Sequence, residues 1–293
     1  MIVDAHQHVC WHDRDTDGLV RDLDEQGIDQ AWLLTWEIAP NEHNESHHRF
    51  LNPIHRRTDG THAGIPLEDL LRARDREPDR FIVGYAPHPL MGDAAALFEA
   101  AHAIYDIRVC GEWKCRMLID DPRCLNLFRT AGRLKCPVVL HLDVPYRTNT
   151  DGIPAYRSEW YGGTVENLAR TLDACPETCF IGHAPGFWRE ISGDADGDAD
   201  LYPSGPVTPG GRLHDMFDRH PNLFADLSAG SGLRALSRDP EHARRFIVQF
   251  SNRLLFARDN YGGELQTFLD TLNLPSNVCE RLYRNNAKGL LTS

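Results

Sequence analysis

Eight short apolar runs, separated by longer stretches with helical spacing, constrain this chain more than any other feature. They are IVDAHQHV (2–9), QAWLLTW (30–36), RFIVGYAPH (80–88), RVCGEWKCRM (108–117), PVVLHLDV (137–144), CFIGHAPGF (179–187), NLFADLSA (222–229) and RLLFARDN (253–260). Their cores are four to eight residues long and rich in Val, Ile, Leu and Phe, which suits strands buried on both faces of a parallel sheet. Helical patterns fall between them over 16–26, 66–76, 93–105, 122–134, 164–174, 210–219, 240–251 and 263–272, and a terminal helix is expected over 276–291. A strand–helix unit thus recurs eight times, about every 33 residues, which is the arithmetic of an α/β chain closed into a (β/α)8 TIM barrel. One domain is expected over 1–293. An open doubly wound sheet is the competing architecture, yet no G-x-G-x-x-G follows the first run and no G-x-x-x-x-G-K-[ST] occurs. The connections 37–65, 145–163 and 188–209 are long, and each follows a strand end, where a barrel carries its active-site loops.

Composition narrows the function classes. At 41% hydrophobic and 25% charged residues the chain is ordinary globular material. A net charge of −12 argues against a phosphate-tracking surface and hence against nucleic acid as the partner. No apolar run approaches the ~18 residues of a membrane span. The opening Met-Ile-Val-Asp has neither a basic n-region nor an apolar h-region. Eight cysteines without a C-x-x-C pair read as reduced thiols. A cytoplasmic protein with a small-molecule substrate is therefore expected, with room for assembly as a homo-oligomer.

Fifteen histidines are about twice ordinary usage, and histidine is the commonest metal ligand. Some belong to the surface: His43, His47 and His48 lie in the polar stretch NEHNESHHRF and are expected on a loop. Others do not. His6 and His8 form H-x-H at the end of the first run, and the two-residue period of a strand puts both imidazoles on one side. Roughly one such pair is expected by chance at this histidine content, so location carries the argument. Glu112 lies inside the fourth run, His141 ends the fifth, His183 the sixth and Asp259 the eighth. Burying four imidazoles and two carboxylates in one barrel mouth is costly unless a cation compensates them. Asp4 is expected on the His6/His8 face one layer deeper, as support or filling. Arg258, preceding Asp259, is expected to point away from the axis and tie the strand end to a helix. The acidic run DADGDAD (194–200) lacks the glycine and glutamate positions of a calcium loop and reads as a solvated loop.

These motifs resemble the amidohydrolase superfamily of metal-dependent barrel hydrolases: D-A-H-Q-H at the first strand, histidines closing the fifth and sixth, and an Asp closing the eighth. The terminal N-N-A-K-G-L-L is similar to the closing segment of the amidohydrolase-2 branch, and Glu112 resembles the glutamate by which TatD-like enzymes join two metals. The resemblance implies a hydrolase acting on an amide, ester or lactone through a divalent metal. Zinc suits the imidazole-rich set, and manganese, nickel or iron are alternatives. His6, His8 and Asp259 would form a first site, and Glu112 would bridge to a second ion held by His141 and His183. With one ion only, His141 joins the first site and His183 positions substrate. Asp259 is the expected general base, with His183 next in line. Lys114 is expected either carboxylated or on a substrate anion, and Arg147 and Trp188, with Tyr146, Trp160 and Tyr161, as pocket walls. The resemblance implies one other reaction, decarboxylation of a small aromatic or unsaturated acid around one zinc.

Overall fold

The computed structural model describes residues 1–40, 42–197 and 200–292, so part of the acidic run 194–200 lies outside the described residues. The eight runs become eight parallel strands: β1 (Val3–Gln7), β2 (Gln30–Leu34), β3 (Phe81–Gly84), β4 (Cys110–Trp113), β5 (Val138–His141), β6 (Phe180–His183), β7 (Leu223–Asp226) and β8 (Leu254–Leu255). Strands β1 to β3 pair in sequence order, and so do β4 to β8. The two arcs close on each other. Gly84 bridges Val109, and the Ala5 amide donates to the Phe256 carbonyl at 2.9 Å. A Cβ at Gly84 would lie 2.7 Å from the Leu34 side chain and 3.1 Å from that of Val109, so any larger residue would force these neighbours to shift. The result is a (β/α)8 barrel. Among the described residues no helix is long and apolar enough to cross a membrane.

The expected helices form within two residues of their sequence limits: α1 (Thr16–Glu25), α2 (Leu67–Arg76), α3 (Ala94–Tyr105), α4 (Pro122–Arg133), α5 (Val165–Ala174), α6 (Arg212–Arg219), α8 (Pro240–Gln249) and α9 (Glu264–Thr271). Their starts are local chemistry. Asp15, Asp93 and Asp121 each accept from an amide in the first turn, at 2.8, 3.1 and 2.9 Å. One helix, α7 (Ala229–Ser237), escaped the reading because AGSG is a poor helical start by propensity. The long connections also carry structure. Residues 36–37 pair with 64–65, and 146–148 with 154–156.

Two apolar clusters separate the faces of the strands. Val3, Ala5, Trp32, Leu34, Val109, Val139, Ile181, Leu255 and Ala257 fill the barrel interior. Their neighbours in sequence, such as Leu33, Cys110, Val138, Leu140, Phe180 and Leu254, pack outward against the helices. The terminal helical segment (276–292) closes the far end: Ala287 and Leu290 join the interior cluster, and the Asn286 amide donates to the Ser251 and Leu254 carbonyls at 2.8 and 2.7 Å.

Strict alternation fails in β1. Its pairing with β2 shifts register between Asp4 and Gln7. Ala5 belongs to the interior, and His6 also faces the axis, while Asp4 turns outward. The expectation that Asp4 shares the histidine face is thereby corrected, because the irregularity resets the two-residue period. The Asp4 carboxylate instead accepts from the Arg258 side chain at 2.7 Å, and Arg258 reaches Asp22 of α1 at 2.8 Å. Arg258 thus ties the strand end to a helix, as expected. This buried pair clamps β1, β8 and α1 directly behind the polar mouth.

Candidate metal centre

The residues at the mouth come from strand ends that the fold holds rigidly. His6, Glu112, His141, His183 and Asp226 are the inward positions of β1, β4, β5, β6 and β7. His8 lies one residue beyond β1. Asp259 lies in the turn after β8, where its amide donates to the His6 carbonyl at 2.9 Å and its φ of +46° is left-handed, a conformation that aspartate tolerates better than most residues. All of these side chains are buried except that of Asp259, which is 11% exposed.

Each of three imidazoles is tied off at Nδ1. His6 donates to Asp226 Oδ2 at 2.9 Å, His8 to the Leu34 carbonyl at 2.7 Å, and His183 to Asp226 Oδ1 at 3.1 Å and Ser228 Oγ at 2.7 Å. This fixes the proton on Nδ1 of each ring and turns its Nε2 into the mouth. His8 Nε2 stands 3.3 Å from Asp259 Oδ1 and 3.5 Å from Glu112 Oε2, and His183 Nε2 is 3.6 Å from both carboxylates. His6 Nε2 is 3.9 Å from each. Three buried atoms in this space, His6 Nε2, Glu112 Oε2 and Asp259 Oδ1, have no hydrogen-bond partner. Orphaned buried acceptors converging at the mouth fit a bound cation. Two groups have the geometry for one: His6 with His8 and Asp259, and His6 with Glu112 and His183.

The charges are strongly coupled. Burial favours the neutral form of the Asp259 carboxyl, but the surrounding imidazoles outweigh it and hold its pKa near 2. Burial likewise opposes charge on His8, and Asp259 and Glu112 overcome it, raising His8 to about 9. Glu112 is held well below the carboxylate range against its burial, first by Lys114 and then by His141. These are the balances expected of a negative pocket that prefers a positive occupant.

The structure alters several expectations. His141 reaches the mouth, but its Nδ1 donates to Glu112 Oε1 at 2.7 Å, and it stands outside both candidate ligand groups. Through that nitrogen it partners Glu112. Lys114 stands over the Trp36 ring at 4.1 Å, close enough to depress Glu112 and His141. Trp188 is corrected outright. It is fully buried, its indole donates to the Asp226 carbonyl at 3.1 Å, and it buttresses the site from outside without offering a surface to substrate. Arg147 lines a cleft of about 260 Å³ between the loops after β5 and β6, with Arg189, Glu190 and Arg212, apart from the mouth. Tyr146 is exposed, whereas Tyr161 is buried and packs edge-on against His141 at 5.4 Å.

Asp226 was missed. Its carboxylate is shared by His6 and His183, so one buried acid orients two imidazoles of the mouth. The signal was present: LFAD ends the seventh run as LLFARD ends the eighth.

No protein-family profile matches the chain, and no curated protein matches it by sequence. Solved structures do match. An uncharacterised TIM-barrel protein from Bordetella bronchiseptica superposes with a TM-score of 0.59 at 18% identity, over 94% of this chain and 82% of that one. A dihydroxybenzoic acid decarboxylase from Polaromonas, solved with manganese and the inhibitor 2-nitroresorcinol, gives 0.59 at 17% identity over 99% and 96%. A candidate 2-pyrone-4,6-dicarboxylic acid hydrolase from Pseudomonas putida gives 0.57 at 12% identity over 99% and 97%. Over nearly its whole length, this chain shares the (β/α)8 barrel fold of these solved structures.

Proposed function

We propose that this chain is a metal-dependent enzyme of the amidohydrolase superfamily, a single barrel unit that hydrolyses an amide, ester or lactone of a small molecule. The observation that carries the reading is the set of orphaned buried atoms at His6, Glu112 and Asp259, facing imidazoles whose far nitrogens are already tied off. His6, His8 and Asp259 would hold the ion, with Glu112 and His183 beside it. One ion is favoured over two, because both candidate groups draw on His6 and its Nδ1 is committed to Asp226. Zinc suits this donor set, and manganese, nickel and iron fit it as well. Such an ion, when bound, polarises a carbonyl and lowers the pKa of water towards ~7.

The residues divide the remaining work. Asp259, kept ionised, accepts a proton from the attacking water. His183, oriented by Asp226 and Ser228, presents Nε2 to the same space and can hold or return a proton to the leaving group. The His183 ring is buried, and the Asp259 side chain is only 11% exposed. Decarboxylation of a small aromatic or unsaturated acid is the second reading. The Glu112–His141 pair favours it, since a glutamate held by histidine is poorly placed to bridge two ions.

Elemental analysis of the purified protein should find about one equivalent of a divalent transition ion, absent from the His6→Ala/His8→Ala double variant. Full occupancy in that variant overturns the site. A substrate screen that reads acid release and carbon dioxide release separately then decides between the two reactions.

A further inference from the structure

We propose that His214 and His242 form a second transition-metal site, on the outer helical layer, suited to an ion of square or octahedral preference such as Ni²⁺ or Cu²⁺. The site shares no residue with the polar mouth and does not depend on how that mouth is read.

Four of the fifteen histidines, His6, His8, His141 and His183, belong to the mouth. Two of the others meet across neighbouring helices. His214 is the third residue of α6 and His242 the third of α8, and their Nε2 atoms lie 3.0 Å apart. The rings stand nearly perpendicular, at 81°, with centroids 5.2 Å apart. His242 Nδ1 is buried without a partner, so Nε2 is the nitrogen through which this ring engages its surroundings. Only one proton fits between two nitrogens at that distance, so the pair holds one N–H and one lone pair. Burial, the first influence on each, lowers the pKa of both rings and keeps them neutral, the form that binds a metal.

The starts of both helices are pinned, which sets the spacing. The Asp239 side chain caps α8 by accepting from the His242 amide at 3.0 Å. A Cβ at Gly211, the residue before α6, would run into the Ile191 carbonyl, so α6 begins hard against the loop after β6. Phe246 of α8 packs against both rings, with centroids 5.2 Å from His214 and 6.2 Å from His242.

The spacing selects the class of ion. Bonds from a metal to imidazole are ~2.0–2.1 Å. Two donors at the tetrahedral angle would then lie ~3.3–3.4 Å apart, and two at a right angle ~2.8–3.0 Å. The pair therefore matches adjacent corners of a square or an octahedron, the geometry of Cu²⁺ and Ni²⁺. Asp218 lies one turn after His214 on α6 and is exposed, and its charge is the foremost one acting on His214. A change of rotamer would bring it in as a third donor, with water completing the shell.

The test uses untagged protein as purified, its initial metal content fixed by elemental analysis. Calorimetric titration with Ni²⁺ and with Cu²⁺ should show wild type binding one more equivalent than His214→Gln or His242→Gln, with a dissociation constant of about 1–100 µM. Asp218→Asn should weaken this equivalent about two- to tenfold. Zn²⁺ should bind no more tightly than Ni²⁺. Melting curves establish that each variant is folded. Carbethoxylation of wild type, read ring by ring through peptide mass spectrometry, needs no variant: saturating Ni²⁺ should reduce labelling of His214 and His242 about fivefold or more. The site is overturned if both variants bind as many equivalents as wild type with equal affinity, or if Ni²⁺ leaves the labelling of these two rings unchanged; the pair is then a hydrogen bond alone. Zn²⁺ binding more tightly than Ni²⁺ overturns the right-angle geometry.

Discussion

Val139 and His141 face the same barrel axis from the same strand, two residues apart, and so do Ile181 and His183. That step is only ~7 Å along a strand. Below it lies a layer of hydrophobic side chains, Val3, Trp32, Val109, Val139, Ile181 and Leu255. Above it lies a layer of imidazoles and carboxylates that are buried or nearly so. Burial stabilises the lower layer, at ~1.5–3 kcal/mol for each large side chain removed from water. The same burial penalises the upper layer, whose groups are neutralised only in part by one another and by Asp226. Two layers on one scaffold thus separate the two tasks: the lower holds the barrel closed, and the upper is held ready for an occupant.

That separation can be broken by mutation. The largest effect belongs to the upper layer. With a substrate in hand, Asp259→Asn should retain much of the metal yet reduce kcat by ~10²–10⁴, because an amide cannot take the proton. A kcat within about threefold of wild type, with metal retained, would move the base elsewhere. Next comes the lower layer. Trp32 is fully buried, and Trp32→Ala should cost ~3–5 kcal/mol of unfolding free energy. Metal content at low temperature should not change; a variant as unstable as expected but also unable to hold metal would show that the layers are not independent. Asp226→Asn tests the seam between them. Losing the charge that orients His6 and His183 should weaken metal binding ~10–100-fold, read by competition with a chromophoric chelator. Unchanged affinity would reduce Asp226 to packing.

The same two layers explain what was legible in the sequence. Strands β5 and β6 alternate without interruption, so His141 and His183 could be placed at the mouth by counting. Strand β1 breaks its period, and counting placed Asp4 on the wrong face, because a register shift leaves no residue pattern of its own. The fold was accessible because eight runs agree with each other. The partners were not: that His141 holds Glu112, or that Trp188 lies beneath Asp226, depends on how adjacent strand ends and loops pack. His47 is the clearest case. Its neighbours His43 and His48 are exposed as the polar composition suggests, and only the packing of Trp36 buries the third.

That burial gives the smallest effect and the sharpest contrast between layers. In the folded protein burial, then Lys114 and Arg116, hold His47 near pKa 3, whereas an unfolded chain returns it to the ordinary value of ~6.5. The unfolded state therefore binds a proton below pH ~6.5 that the folded state refuses. His47 costs nothing above that pH, and it lowers stability progressively as the pH falls from ~6.5 towards 3. His47→Gln removes this term while keeping a polar side chain of similar reach. Relative to this variant, wild type should lose about 1 kcal/mol of unfolding free energy between pH 7.5 and pH 5.5, measured from urea midpoints at the two values. Ile181→Val, in the layer without titratable groups, should cost ~0.5–1.5 kcal/mol and the same amount at both. A His47→Gln difference that does not move with pH would mean that folding leaves the His47 pKa at its ordinary value, and that neither burial nor the nearby Lys114 charge acts on the ring.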